Sequence, residues 1–171
     1  HGDDLSAQGP KEELDWYREE LEKVYELKEG ARLGPGAKDD KESRMLNRIV
    51  RWTNEGLEYE ADPRQAEQLV RDLGMSGSKS VGTPGTKTTS EQIAADKEMS
   101  TERQRPYRGV AARSNYLSAD RPDMQHAAKE VCRWMSTPTE VALVALKRIG
   151  RYLEGHSRLV YKYVFQKATL L

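Results

Sequence analysis

A chain of 171 residues and 19.4 kDa fits one ordinary domain or two small ones, and its single cysteine, Cys132, excludes a disulfide framework and fits a reducing, intracellular setting. Hydrophobic residues make up 36% against 33% charged, with mean hydropathy −0.86, so the core is thin; the longest aliphatic run, VALVAL at 141–146, is far short of a membrane span of ~20 residues. The net charge of zero hides a division: residues 1–102 carry 15 Lys and Arg against 23 Asp and Glu, whereas residues 103–171 carry 13 against 5.

In chain order, HGDD opens on two adjacent carboxylates, Asp3 and Asp4, and LSAQGP reads as a strand end broken at Gly9-Pro10. In KEELDWYREELEKVYELKEG, Leu14, Tyr17, Leu21, Val24 and Lys28 recur every three or four residues, which predicts an amphipathic helix closed by Gly30. LGPGAKDDKE reads as loop. MLNRIVRW and LEYEA flank Thr53-Asn54-Glu55-Gly56, a hairpin signal with Gly56 at the position expected to need positive φ. ADPRQAEQLVRDLG predicts a helix with Asp62 as N-cap, Pro63 at its first position, a stripe of Ala66, Leu69, Val70 and Leu73, and a stop at Gly74.

Residues 76–102 are rich in Ser, Thr, Gly and Lys without an apolar period, and predict a polar, partly mobile linker. Three helices are expected next. The first buries Tyr107, Val110, Ala111 and Leu117. The second starts near Pro122 and buries Met124, Ala127, Ala128, Val131, Cys132 and Met135. The third is capped by Thr137, with Pro138 first and Glu140 as capping-box partner; it buries Ala142, Ala145, Leu146, Ile149 and Leu153 and stops at Gly155. RLVYKYVF closes as a strand. The fold class is α+β, with strands early and a helical cluster late.

Several chemical signals fail on spacing. GTPGTKTT at 82–89 has two residues between its glycines where a phosphate-binding loop needs four, and Thr86 separates Gly85 from Lys87. His1, His126, His156 and Cys132 lack metal-ligand spacing. An isolated Asp-Asp pair is unspecific by itself, although two carboxylates are what two-metal phosphoryl transfer requires.

The ordered set of segments is more specific. YRGVAARSNYLSADRPDMQHAAKEVCRWMSTPTEVALVALKRIGRYLEG (107–155) resembles the region after the polymerase palm in copia-type retrotransposon Pol polyproteins. GLEYEADPRQAEQLVRDLGM followed by KSVGTP resembles the hairpin, helix and following run of the same family, and HGDD stands where that family carries Tyr-x-Asp-Asp. The resemblance runs in register from about residue 1 to 165.

It implies a fragment of a reverse transcriptase: residues 1–75 the C-terminal part of a palm with a primer-grip-like hairpin, 76–102 a linker, and 103–165 a basic, thumb- or connection-like helical region. Asp3 and Asp4 would be two of three metal-binding aspartates holding Mg²⁺ or Mn²⁺, so that a primer hydroxyl can attack a deoxynucleoside triphosphate. His1 in place of the family's Tyr leaves the primer contact open. Trp52 and Tyr59 are the primer-grip residues on this reading, with packing against a neighbouring helix as the alternative. Arg103, Arg105, Arg108, Arg113, Arg121, Arg133, Lys147, Arg148 and Arg151 would meet template–primer phosphates without reading sequence, or else form a solvated helix face. Trp134 is expected in the core or a domain contact. The third aspartate, the fingers and the RNase H segment would belong to the rest of the polyprotein, so the chain alone is expected not to extend a primer. The alternative from another class is a non-catalytic remnant that binds nucleic acid or protein.

Overall fold

A computed structural model describes residues 5–28 and 30–166, and the chain divides into two compact units, 1–32 and 33–171. In the first, helix α1 spans Lys11–Glu22. Glu12 and Glu13 in its first turn complement the helix dipole, and Arg18 bridges Glu22 one turn on at 2.7 Å. No strand forms over residues 5–10. The helix ends well before Gly30: the amides of Val24 and Tyr25 both donate to the Leu21 carbonyl and close the last turn. No residue of α1 is buried, and Val24 and Tyr25 are exposed. A helix draws most of its stability from a packed face, so the predicted stripe does not extend it to its full period.

In the second unit, strands β1 (Glu42–Met45), β2 (Arg48–Trp52), β3 (Gly56–Glu60) and β4 (Val160–Val164) form one antiparallel sheet in that order. Val50 stands opposite both Ser43 and Tyr59, and Tyr59 opposite Tyr161. The stretch read as one strand from Met45 is broken by a turn at Leu46 (φ 50°) and Asn47 (φ 68°), two consecutive left-handed residues of the kind that join tight hairpins. Asn tolerates that conformation and marks the turn; Leu does not advertise it.

The β2–β3 hairpin forms where expected, but Gly56 has no positive φ. Thr53 shapes the turn instead: its hydroxyl accepts from the amides of Glu55 and Gly56 and donates to the Gly56 carbonyl at 2.9 Å. Gly56 is required by its neighbour across the sheet, since a Cβ there would lie 2.0 Å from the Tyr163 carbonyl oxygen. Gly56→Ala is therefore expected to push β3 from β4 and cost about 1–3 kcal/mol, the usual penalty of overpacking. Urea unfolding should show a lower midpoint at unchanged slope; an unchanged midpoint would mean the β3–β4 pairing is looser than this.

Helix α2 spans Pro63–Asp72 as predicted, with Asp62 accepting from the Arg64 amide at 3.1 Å and Gly74 at φ 65° after its end. Residues 76–102, expected as a polar, partly mobile linker, hold a short helix, α3 (Ser90–Ala94), with a complete capping box between Thr89 and Gln92. They also supply Met99, which is 3% exposed within the core. Helices α4 (Thr101–Ser118), α5 (Gln125–Cys132) and α6 (Glu140–Gly155) follow.

Two starts differ from expectation. α5 begins after Met124 and not at Pro122, and Thr139, not Thr137, caps α6 by accepting from the Ala142 amide at 3.2 Å. For α6 the reason is tertiary. The Met99 amide donates to the Pro138 carbonyl at 2.9 Å and Glu98 bridges Thr139, which holds 138–139 extended and places Glu140 first in the helix. The core joins Leu69 and Val70 of α2, Tyr107 and Leu117 of α4, Val131 of α5, and Leu146, Ile149 and Leu153 of α6.

Candidate nucleic-acid interface

The loop between α4 and α5, residues 119–124, carries a polar seam joining sheet and helices. Asp120 accepts from Arg48 Nε at 2.9 Å and from the Tyr59 hydroxyl at 2.6 Å. Arg121, 1% exposed, grips both oxygens of Asp123 at 2.9 and 2.7 Å and donates to the carbonyls of His156 and Ser157 at 2.8 and 3.2 Å. Asp123 also accepts from the Tyr152 hydroxyl at 2.8 Å. Below it, the buried Glu60 accepts from Arg51 and Arg158, each with one hydrogen bond at 2.8 Å.

These contacts set the electrostatics. Hydrogen bonds from Arg158 and Arg51 hold the Glu60 carboxyl below the usual range, against the cost of its burial. Burial works against Asp123 too, but hydrogen bonds from Arg121 and Tyr152 outweigh it and lower its pKa. Burial, then the bond to Asp120, pushes the Tyr59 phenol up to about 12. The seam is saturated. It fastens layers together and offers neither a free base nor a nucleophile.

That seam reassigns two of the residues singled out in the sequence. Tyr59 spends its hydroxyl on Asp120 and packs on Tyr161 at 6.0 Å, so it is a structural contact between layers. Arg121 is buried with donors on all three guanidinium nitrogens engaged, which removes it from any phosphate-facing set. Trp52 is half-buried against Phe165, with ring centroids 4.9 Å apart. Asp3 and Asp4 lie outside the described residues.

The other cations divide by what they hold. Arg108 donates to the Met135 and Ser136 carbonyls at 2.6 and 3.0 Å, tying the turn after α5 to α4. Arg113 reaches Gln65 at 3.2 Å and Asp72 at 3.8 Å. Arg103 pairs with Glu140, at 3.0 Å through its second nitrogen. Arg148 donates to the Thr83 hydroxyl and Arg151 to the Lys79 carbonyl, each at 2.9 Å. Arg105 and Lys147 are exposed with no ion pair among the described residues, and Arg133 is exposed with only a surface partner there, Glu130, at 3.2 Å. Trp134 is 45% exposed, not core. Sequence reading passed over Arg48, Glu60, Asp120, Asp123, Tyr152 and Arg158. The one available signal was the Arg-Pro-Asp order at 121–123, in which opposite charges flank a proline.

No group of three His, Cys, Asp or Glu among the described residues could hold a metal ion, and no helix among them is long and apolar enough to cross a membrane. Over 49 residues the chain is 47% identical to a retrovirus-related Pol polyprotein from transposon RE1 of Arabidopsis thaliana, a stretch covering 29% of this chain and 3% of that protein. The similarity is to retrotransposon Pol polyproteins. A second such polyprotein from the same plant, of transposon RE2, is 32% identical over 92 residues, 54% of this chain and 6% of its own length. An uncharacterized mitochondrial protein of Arabidopsis thaliana is 28% identical over 102 residues, 58% of this chain and 41% of its own. The chain thus spans less than half the length of each of these relatives, and the two polyproteins support a retrotransposon Pol origin. No protein-family model and no solved structure matches it.

Proposed function

We propose that the chain is part of a retrotransposon reverse transcriptase, an RNA-directed DNA polymerase, and that its helical half grips the phosphate backbone of template–primer. The observation that carries this reading is the similarity to two retrotransposon Pol polyproteins. The charge excess of residues 103–171 supports it, because Arg105, Arg133 and Lys147 are exposed where phosphates can reach them. On this reading Asp3 and Asp4 hold Mg²⁺ or Mn²⁺ in the parent polymerase, deoxynucleoside triphosphates are its substrates, and the remaining palm, fingers and RNase H segments complete it.

The test is anisotropy of a labelled RNA–DNA hybrid titrated with the full chain across a salt series. Affinity is expected to fall with salt. Arg105→Gln with Arg133→Gln should flatten the log–log slope by about 2, close to one for each phosphate that is no longer neutralised. An absence of binding at low salt would sink the reading.

A further inference from the structure

Residues 77–88 run over the C-terminal half of α6 and are fastened there at several points. The Gly77 amide donates to Glu154 Oε1 at 2.8 Å, Arg151 Nε to the Lys79 carbonyl, and Arg148 Nη2 to the Thr83 hydroxyl. At Gly155 the approach is so close that a Cβ would lie 2.6 Å from the Cβ of Ser80. Further on, the segment reaches α5, where a Cβ on Gly85 would stand 3.5 Å from that of Ala127. A stretch that composition marks as linker is therefore part of the surface of α6.

The charge on that surface is unbalanced. Lys79, Lys147, Arg148 and Arg151 make no ion pair among the described residues, and Arg148 Nε is buried without a partner there. Glu154 lies on this side of the helix, with one oxygen committed to the Gly77 amide. Ser80 adds an exposed hydroxyl, a donor of the kind that accompanies Lys and Arg at phosphates, whereas the Thr83 hydroxyl already donates to the Gly85 carbonyl at 3.1 Å. Residues 77–88 contain no aromatic side chain, and the outward α6 positions are Val144, Lys147, Arg148, Arg151, Glu154 and Gly155, four of them charged and three of those basic. With nothing on which a base could stack, such a surface engages charge and not sequence.

We infer that residues 77–88 and the outer face of α6 form one phosphate-contacting surface, on which Lys79, Lys147, Arg148 and Arg151 meet a nucleic-acid backbone without reading its bases. This rests on the proposed nucleic-acid function and extends it to a segment outside the helical half. Arg148 and Arg151 act twice, fixing the segment through one donor and leaving others for phosphate oxygens.

The experiment uses the full chain and the same labelled hybrid, with Lys79→Gln/Lys147→Gln, whose side chains bond to nothing among the described residues, and Thr83→Glu, which sets a carboxylate beside Arg148. Arg44→Gln, on the exposed strand β1, is the control. The double variant is expected to flatten the salt slope by about 2, Thr83→Glu to weaken binding several-fold, and Arg44→Gln to change nothing. An equal concentration of free deoxynucleoside triphosphate should not compete, since a single nucleotide spans only part of the surface. Full competition would overturn the backbone assignment in favour of a nucleotide site. If the wild type binds and only Arg105→Gln/Arg133→Gln flattens the slope, this inference is wrong and the broader function survives. If the wild type does not bind, both fail.

Discussion

Arg121→Met is expected to lower the unfolding free energy by about 3 kcal/mol, the low end of the cost of removing one partner from a buried charge pair, since Asp123 is only half-buried. Methionine fills much of the space but forms none of the hydrogen bonds. Asp123 would keep only the Tyr152 hydroxyl, and the carbonyls of His156 and Ser157 would be left without this donor inside the fold. The same residue links two places far apart in sequence: the α4–α5 loop and the connection from α6 to β4 at 156–157. Guanidinium or urea unfolding followed by circular dichroism measures the change. A second variant, Arg121→Met/Asp123→Leu, removes both charges together and should recover part of the stability, because a half-buried carboxylate left without its cation costs more than an absent pair. A decrease under about 1 kcal/mol in the single variant would show that Arg121 is not the tie described.

Glu60→Gln should be nearly as costly at neutral pH, and its pH dependence identifies the cause. Glu60 is 2% exposed and accepts from Arg158 and Arg51, which hold its folded pKa below the unfolded value. A depressed carboxylate pKa means the folded state binds its proton less readily than the unfolded state. The stabilisation is thus present above the unfolded value of about 4.3 and is lost as pH falls through the lower, folded value. Asp62 and Asp123 are lowered too and act in the same direction. The wild type should have a thermal midpoint that is level near neutrality and falls steeply below about pH 4. In Glu60→Gln the midpoint is lower near neutrality and falls less steeply in that acid range, so that the two curves converge at low pH. Parallel curves for the two proteins would show that the Arg51–Glu60–Arg158 cluster contributes nothing through charge.

The reassignment of basic residues follows from a physical limit on reading charge in a sequence. Arg105, Arg108 and Arg121 look alike in the sequence, yet one is exposed, one ties α4 to the turn after α5, and one is buried. An arginine spends its donors on whatever acceptors the fold brings near, and those acceptors are mostly backbone carbonyls that no side-chain pattern records. The proposed binding surfaces therefore use Arg105, Arg133, Lys147 and Lys79, with Arg148 and Arg151 in a double role.

What the amino-acid order determined alone is the local structure with a local cause. Asp62-Pro63 starts α2 and Gly74 ends it, Thr53 to Gly56 turns the β2–β3 hairpin, and the apolar stripes of α4, α5 and α6 are the ones buried. Each depends on neighbours within a few residues or on a 3.6-residue period, so it is written in the sequence. Tertiary structure decided the rest. It moved the α6 cap from Thr137 to Thr139 through a bridge from Glu98, and ended α1 without a buried face. It made Gly56 obligatory because of a carbonyl in β4, and laid the Ser- and Thr-rich segment along α6. Those outcomes depend on atoms dozens of residues away, which come within hydrogen-bonding distance only once the chain has folded.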